Sequence, residues 1–217
     1  MNFEQARFNM VEQQVRPWDV LDQDILDLMM SVKREEFVPE AYRRLALAEV
    51  EIPLGHGQVM LKPVIEGKVL QVVQVRKTDK VLEIGAGSGY MAALLAGLAE
   101  QVTSVEIVPE LAAAARANLE RAEVDNAMVI QGDGMQGWAN NAPYDLIVLS
   151  GSTPVLPQAL LQQLKPGGRL FAFVGEAPLM EAQLVTCTAA GVFKTTTVFE
   201  TIAPVLANVP QPERFRF

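Results

Sequence analysis

The segment Val81-Leu82-Glu83-Ile84-Gly85-Ala86-Gly87-Ser88-Gly89-Tyr90 joins a short apolar run to three alternating glycines and then to an alanine- and leucine-rich run. It reads as a strand, a tight loop and a helix. Glycines there allow a sharp turn and let a bound ligand approach the backbone. Their Gly-x-Gly-x-Gly spacing differs from the Gly-x-Gly-x-x-Gly of dinucleotide-binding loops. Glu83 stands two residues before the first glycine, where a ligand's ammonium group would meet it. Glu106 closes the next apolar strand, 21 residues after Gly85, and a carboxylate so placed accepts ribose hydroxyls. Gly132-Asp133-Gly134 follows a third strand and offers an acceptor to an exocyclic adenine amine. Ribose, adenine and amino-acid recognition without a phosphate cradle describes S-adenosylmethionine better than NAD. The candidate cofactor residues are therefore Glu83, Gly85, Gly87, Gly89, Glu106, Asp133 and Gly134.

Downstream, strands and helices alternate. Lys80–Ile84, Gln101–Ile107, Ala127–Gln131, Tyr144–Leu149 and Gly168–Val174 read as strands. Tyr90–Leu98, Pro109–Ala122 and Pro157–Leu164 read as helices. Gln183–Thr188 and Val192–Thr201 then follow as strands with no helix between them. This order predicts an α/β fold: a doubly wound, mostly parallel sheet with an antiparallel hairpin at one edge. Upstream, Phe3, Phe8, Met10, Val11 and Val15 form a helical stripe that stops at Arg16-Pro17. Asp22 caps a second helix, Glu40–Ala48 reads as a third, and Pro63–Val73 as a fourth after a loop at Ile52–Gln58. The expected division is a helical extension over residues 1–76 and a ligand-binding domain over 77–217.

Composition narrows the chemistry. The chain has 217 residues, and 26 acidic against 18 basic residues give a net charge of −8, which argues against a nucleic-acid partner. One cysteine, Cys187, and one histidine, His56, leave no metal-site pattern, so no metal is expected. Cys187 reads as a buried structural thiol and His56 as a loop-packing residue. No Gly-x-Ser-x-Gly nucleophile motif occurs. The N-terminus lacks a signal-peptide pattern, and the uncharged run Ile84–Ala99 is too short to span a bilayer. A cytoplasmic protein without a membrane partner is expected, as monomer or homodimer.

Three upstream segments are Met10-Val11-Glu12-Gln13-Gln14-Val15-Arg16, Val32-Lys33-Arg34-Glu35-Glu36-Phe37-Val38-Pro39 and Pro53-Leu54-Gly55-His56-Gly57-Gln58. With the glycine loop, Gly132-Asp133-Gly134, Tyr144-Asp145 and Leu164–Leu170, they resemble the protein-L-isoaspartate O-methyltransferases over residues ~8 to 175. The resemblance implies a Rossmann-like sheet of seven strands, an N-terminal helical layer over the active site, and S-adenosylmethionine as cofactor. It also implies methylation of isoaspartyl or D-aspartyl carboxylates in damaged proteins or peptides. The family follows Gly-Gln with Thr-x-Ser, the serine being its active-site residue; here Val59-Met60-Leu61 stands there. After the fourth strand the family carries small apolar residues, against Ser150-Gly151-Ser152-Thr153-Pro154 here. The family's C-terminal Arg-Phe-Val-Pro-Leu has no recognisable counterpart near Phe199–Pro204.

A carboxylate acceptor, which ordinarily titrates at about 3.9, is already ionised at neutral pH and needs no general base. The missing serine would position it by a hydrogen bond. Gln58, Ser150 and Ser152 are the candidates to replace that donor. The same fold could also serve another acceptor, a carboxyl, hydroxyl or small molecule, or bind cofactor without catalysis.

Overall fold

The computed structural model describes residues 1–212. A seven-stranded sheet runs in the order β5-β4-β3-β6-β7-β8-β9. Its strands are β3 (Lys80–Ile84), β4 (Gln101–Glu106), β5 (Ala127–Gln131), β6 (Tyr144–Thr153), β7 (Leu164–Glu176), β8 (Leu179–Ala189) and β9 (Val192–Thr201). The first five pair in parallel and the last two join antiparallel. This is the expected Rossmann-like arrangement. The order reverses between β3 and β6, and ligands of such sheets bind beyond the strand ends at that reversal. Val81, Leu82, Glu83 and Ile84 of β3 are all buried, because helices cover both faces.

β6, β7 and β8 are longer than the hydropathy pattern implies, while β9 has the expected bounds. β7 begins at Leu164, since Lys165-Pro166-Gly167-Gly168 bends within the strand rather than before it. Buried Arg169 pins this bend to the rest of the chain: its guanidinium donates to the carbonyls of Val73 and Gln74 and to Asp79. The helix expected at Pro157–Leu164 is only α6 (Gln158–Leu161).

The N-terminal layer contains α1 (Phe3–Asn9), which continues into a π-helical turn at Met10–Val15, and α2 (Gln23–Ser31), capped by the Asp22 carboxylate. Glu40–Leu45 is a 3₁₀ turn rather than an α-helix. The loop expected at Ile52–Gln58 contains a small hairpin, β1 (Ile52–Gly55) and β2 (Gln58–Met60). Gly55, His56 and Gly57 all take positive φ at its tip, which leaves His56 exposed rather than packed. Helix α3 (Pro63–Val73) follows. The layer shares the sheet's core: Met10, Val15, Leu26 and Leu70 belong to one apolar cluster with Val81, Leu94 and Phe171. Gly97 of α4 (Tyr90–Leu98) lets α2 approach closely, since a Cβ there would stand 2.6 Å from Leu28 Cδ1. Helix α5 (Pro109–Arg121) covers β4 and β5. Cys187 is buried, as expected of a structural thiol.

Candidate active site

The glycine loop leaves the C-terminal end of β3 with Gly85, Gly87 and Gly89 at φ +92°, +53° and +83°. Alternate positive φ values make the chain turn within five residues before α4 begins, a path that side-chain-bearing residues adopt only with strain. Glu106, at the end of β4, holds this loop from the side. Its Oε2 accepts from the Gly87 N–H at 2.8 Å and its Oε1 from the Val108 N–H at 2.9 Å. Each carboxylate oxygen keeps a further lone pair for a ligand hydroxyl.

Two cavities meet at Gly85. The first is walled by Gly85, Glu106, Gly132, Asp133 and Gly134, with Gln58 and Leu206 at its rim. The second is walled by Leu54, Val59, Leu61, Glu66, Glu83, Gly87, Met91 and Ser150. Six of the seven cofactor candidates therefore gather around one connected site. Gly89 lines neither cavity. A Cβ on it would stand 3.1 Å from the Ala115 carbonyl oxygen, so its glycine serves the packing of α4 against α5.

Glu83 is fully buried at the wall of the second cavity. Ser104 donates to its Oε2 at 2.6 Å and Ser150 to its Oε1 at 2.7 Å. Burial pushes the carboxyl up to about 7, against the pull of these two hydroxyls. A buried acid accepting from neutral hydroxyls lacks a counter-charge, and a ligand ammonium would supply one.

Among the sequence candidates for a donor to an acceptor group, the structure disposes of one and engages another. Ser152 is buried outside both cavities, and its hydroxyl donates to the Ala203 carbonyl at 3.0 Å. The cause is the segment after β9: the Ser152 N–H donates to Pro204 O, and Leu206 N–H donates back to Ser152 O. Ser150 does face the second cavity, but its hydroxyl is committed to Glu83. Gln58 lines the first cavity, not the second. Leu61 occupies the second cavity's wall with its side chain almost entirely buried.

Sequence reading missed two elements. One is the strap formed by Ala203–Asn208. Leu206 sits against the glycine loop so closely that a Cβ on Gly85 would stand 2.8 Å from its Cδ2. Asn208 donates its side-chain amide to Asp133 Oδ2 at 3.0 Å, so the carboxylate that the spacing reserves for an adenine amine is engaged by an amide of the chain itself. The other is the buried pair Arg34–Glu66 beneath the second cavity. A signal for it existed: Glu66 lies three residues before Val69 and four before Leu70, on the apolar stripe of α3. Among the described residues no cluster of three or more metal-ligating side chains occurs, and no helix is long and apolar enough to cross a membrane.

The residues fit an S-adenosylmethionine-like ligand. The loop has space that side chains would fill, a strand-end carboxylate has free lone pairs, and a second acid lies one cavity away. Comparison with known proteins agrees. The family profile described as protein-L-isoaspartate(D-aspartate) O-methyltransferase matches residues 6–206. The chain is 46% identical over 169 residues to the protein-L-isoaspartate O-methyltransferase of Methanoculleus marisnigri, covering 78% of this chain and 77% of that protein. It is 39% identical over 203 residues to the one from Gloeobacter violaceus, covering 93% and 99%. Two solved structures share the fold. One protein-L-isoaspartate O-methyltransferase superposes with a TM-score of 0.82 at 24% identity, over 93% of this chain but only 66%, just under two thirds, of that one. The other, from Plasmodium falciparum and in complex with S-adenosyl-L-homocysteine, gives a TM-score of 0.80 at 18% identity over 95% and 98%. With the profile spanning nearly the whole chain, and with relatives at 39% and 46% identity across most of it, the chain belongs to the protein-L-isoaspartate(D-aspartate) O-methyltransferase family, whose cofactor is S-adenosylmethionine.

Proposed function

We propose that the chain is an S-adenosylmethionine-dependent O-methyltransferase that esterifies the free carboxylate of isoaspartyl residues in damaged polypeptides. The observation that carries this reading is the junction of the two cavities at Gly85. One cavity offers the Glu106 carboxylate and the glycine backbones to a nucleoside, and the other offers an acceptor a chamber walled by apolar Leu54, Leu61 and Met91 together with Glu66, Glu83 and Ser150. In the proposed arrangement Glu106 accepts from the ribose hydroxyls, Glu83 faces the ammonium group, and Asp133 and Gly134 border the adenine. The cofactor supplies a methyl group on a sulfonium, activated for in-line displacement. The protein's part is alignment and exclusion of water. Leu54, Leu61 and Met91 provide the chamber's apolar walls.

The isoaspartyl carboxylate arrives ionised and needs no base. It needs a hydrogen-bond donor, and Leu61 presents none. That absence is the observation favouring a second reading, in which the same chamber methylates a different acceptor. The family membership of the chain supports the first. A single buried cysteine suits a cytoplasmic protein.

Transfer of labelled methyl to an isoaspartyl peptide, a matched aspartyl peptide and a cell extract separates the readings. Label in the isoaspartyl peptide alone of the two peptides is the expected result. Label only in the extract establishes another acceptor.

A further inference from the structure

Four carboxyl oxygens stand at the wall of the acceptor cavity, two on Glu66 and two on Glu83. Three are engaged: Glu83 takes one serine hydroxyl on each oxygen, and Glu66 Oε2 takes the Arg34 guanidinium. Glu66 Oε1 is the fourth and accepts no hydrogen bond from the described residues. Arg34 is fully buried and does not line this cavity, and three of its five N–H bonds are already used. Its three nitrogens go to the Ala46 carbonyl, Glu66 and the Leu61 carbonyl, and its guanidinium packs over the Tyr90 ring.

Resting on the isoaspartyl reading, we infer that Glu66 meets the acceptor as a neutral carboxylic acid, its Oε1–H donating to the acceptor carboxylate across the cavity from Leu61.

The charge count supports it. Glu66, Glu83 and an acceptor carboxylate put three acids around one guanidinium. The bound cofactor adds an ammonium and a sulfonium, less its own carboxylate. The sum is one negative charge beside two buried carboxyls, and one retained proton removes it. Unbalanced charge beside buried groups is costly, so such groups neutralise by holding protons. The unbonded oxygen of Glu66, a residue of the cavity wall, can take a proton without breaking an existing bond, because Oε2 can accept from Arg34 in either state. The charged and titratable neighbours of Glu66 come from four directions. Arg34 approaches from the turn after α2, Glu83 from β3 and Tyr90 from α4. Glu49, half-buried and bonded to the Val64 N–H, lies at the start of α3 beside Lys62, and Arg7–Glu35 is a self-contained pair behind Tyr90. Burial holds the Glu66 carboxyl up to about 8 against the pull of Arg34. The donor is therefore present at neutral pH and is lost as the pH rises through that value.

The test combines a pH profile with a spectroscopic readout. For the wild-type enzyme, kcat/KM toward an isoaspartyl peptide should fall about tenfold per unit on the alkaline side of pH ~8. Leu61→Ser, which leaves Arg34–Glu66 untouched, adds a hydroxyl donor that does not titrate in this range, and it should flatten that limb. Glu66→Gln keeps an N–H donor and should retain activity at pH 7 within about tenfold, without the alkaline limb. By infrared difference spectroscopy, the protein without cofactor should show the carbonyl stretch of a protonated carboxylic acid at pH 7. The component that comes from Glu66 should be lost by pH 9 and be missing in Glu66→Gln, leaving only the part that Glu83→Gln removes. A band unchanged in intensity in Glu66→Gln and lost entirely in Glu83→Gln places the proton on the other acid alone and overturns the inference. An alkaline limb unchanged in both Leu61→Ser and Glu66→Gln also overturns it. Wild-type protein that labels no isoaspartyl peptide at any pH removes the acceptor reading and the donor role together, and the infrared band then still tells whether Glu66 holds a proton.

Discussion

The nucleoside cavity and the acceptor cavity share Gly85, yet their walls come from different distances along the chain. The first is made where three consecutive parallel strands end: Gly85 after β3, Glu106 at the end of β4, Gly132–Gly134 after β5. Each residue is placed by the strand it terminates, and hydrogen bonds such as Gly87 N–H to Glu106 tie the ends together. The second draws on the β1–β2 hairpin, α3, the turn carrying Arg34, and β6. One buried guanidinium bridges Ala46, Leu61 and Glu66 there, and two serine hydroxyls hold Glu83. A cavity built from strand ends tolerates change outside it; one built around a single buried charge does not.

Breaking the acceptor side should have the largest effect on stability. Arg34→Ala leaves Glu66 and two carbonyls without their partner in the core, and loss of one member of a buried pair costs about 3–5 kcal/mol. Urea unfolding should show that loss. A cost below about 1 kcal/mol would mean that the guanidinium does not organise this side.

On the nucleoside side, substitutions should cost affinity rather than fold. Gly87→Val places a branched side chain at φ +53°, with its Cβ 3.2 Å from Leu54 Cδ1, and should reduce S-adenosylhomocysteine affinity by about a hundredfold or more, roughly 2.7 kcal/mol. Calorimetry measures it. For the unaltered protein, S-adenosylhomocysteine at a hundredfold excess over Kd should stabilise the fold by about 2.7 kcal/mol, and NADH should not. A thermal shift with NADH alone would show that the strand-end acids serve another ligand.

Glu106→Ala should weaken binding by about 1.5–3 kcal/mol, the range for hydrogen bonds to a charged group. Unchanged affinity would place the ribose elsewhere. Asn208→Ala is the finest probe. Its amide competes for Asp133 Oδ2, so its removal should tighten S-adenosylhomocysteine binding by about 0.5–1.5 kcal/mol. Weaker binding instead would show that the strap holds the ligand rather than competing with it.

The outcome for individual residues follows the same division. Glu83, Gly85, Gly87, Glu106, Asp133 and Gly134 came together as their spacing implied, because a parallel sheet brings successive strand ends side by side. Gly89 obeyed the same spacing and turned instead to the packing of α4 on α5. Ser152 stood two residues from Ser150 in a hydroxyl-rich run, and nothing in that run distinguishes the one that faces the cavity. The choice between them is made by Ala203 and Pro204, some fifty residues on, which bond to Ser152 and withdraw it from the site.

Local order along the chain thus determined the sheet, the glycine loop and the strand-end acids, since each depends on contacts between neighbours in sequence or on a strand-helix-strand repeat of fixed hand. Leu61 in place of a hydroxyl was legible in the same way, as a departure within a quoted motif. Three things were decided by tertiary structure alone: the strap with Leu206 against Gly85, the engagement of Asp133 by Asn208, and Arg34 beneath Glu66. In each, residues 32 to 121 positions apart meet in a setting where burial sets the value of a charge or a hydrogen bond. Burial is a property of the packed chain, and no window of sequence contains it.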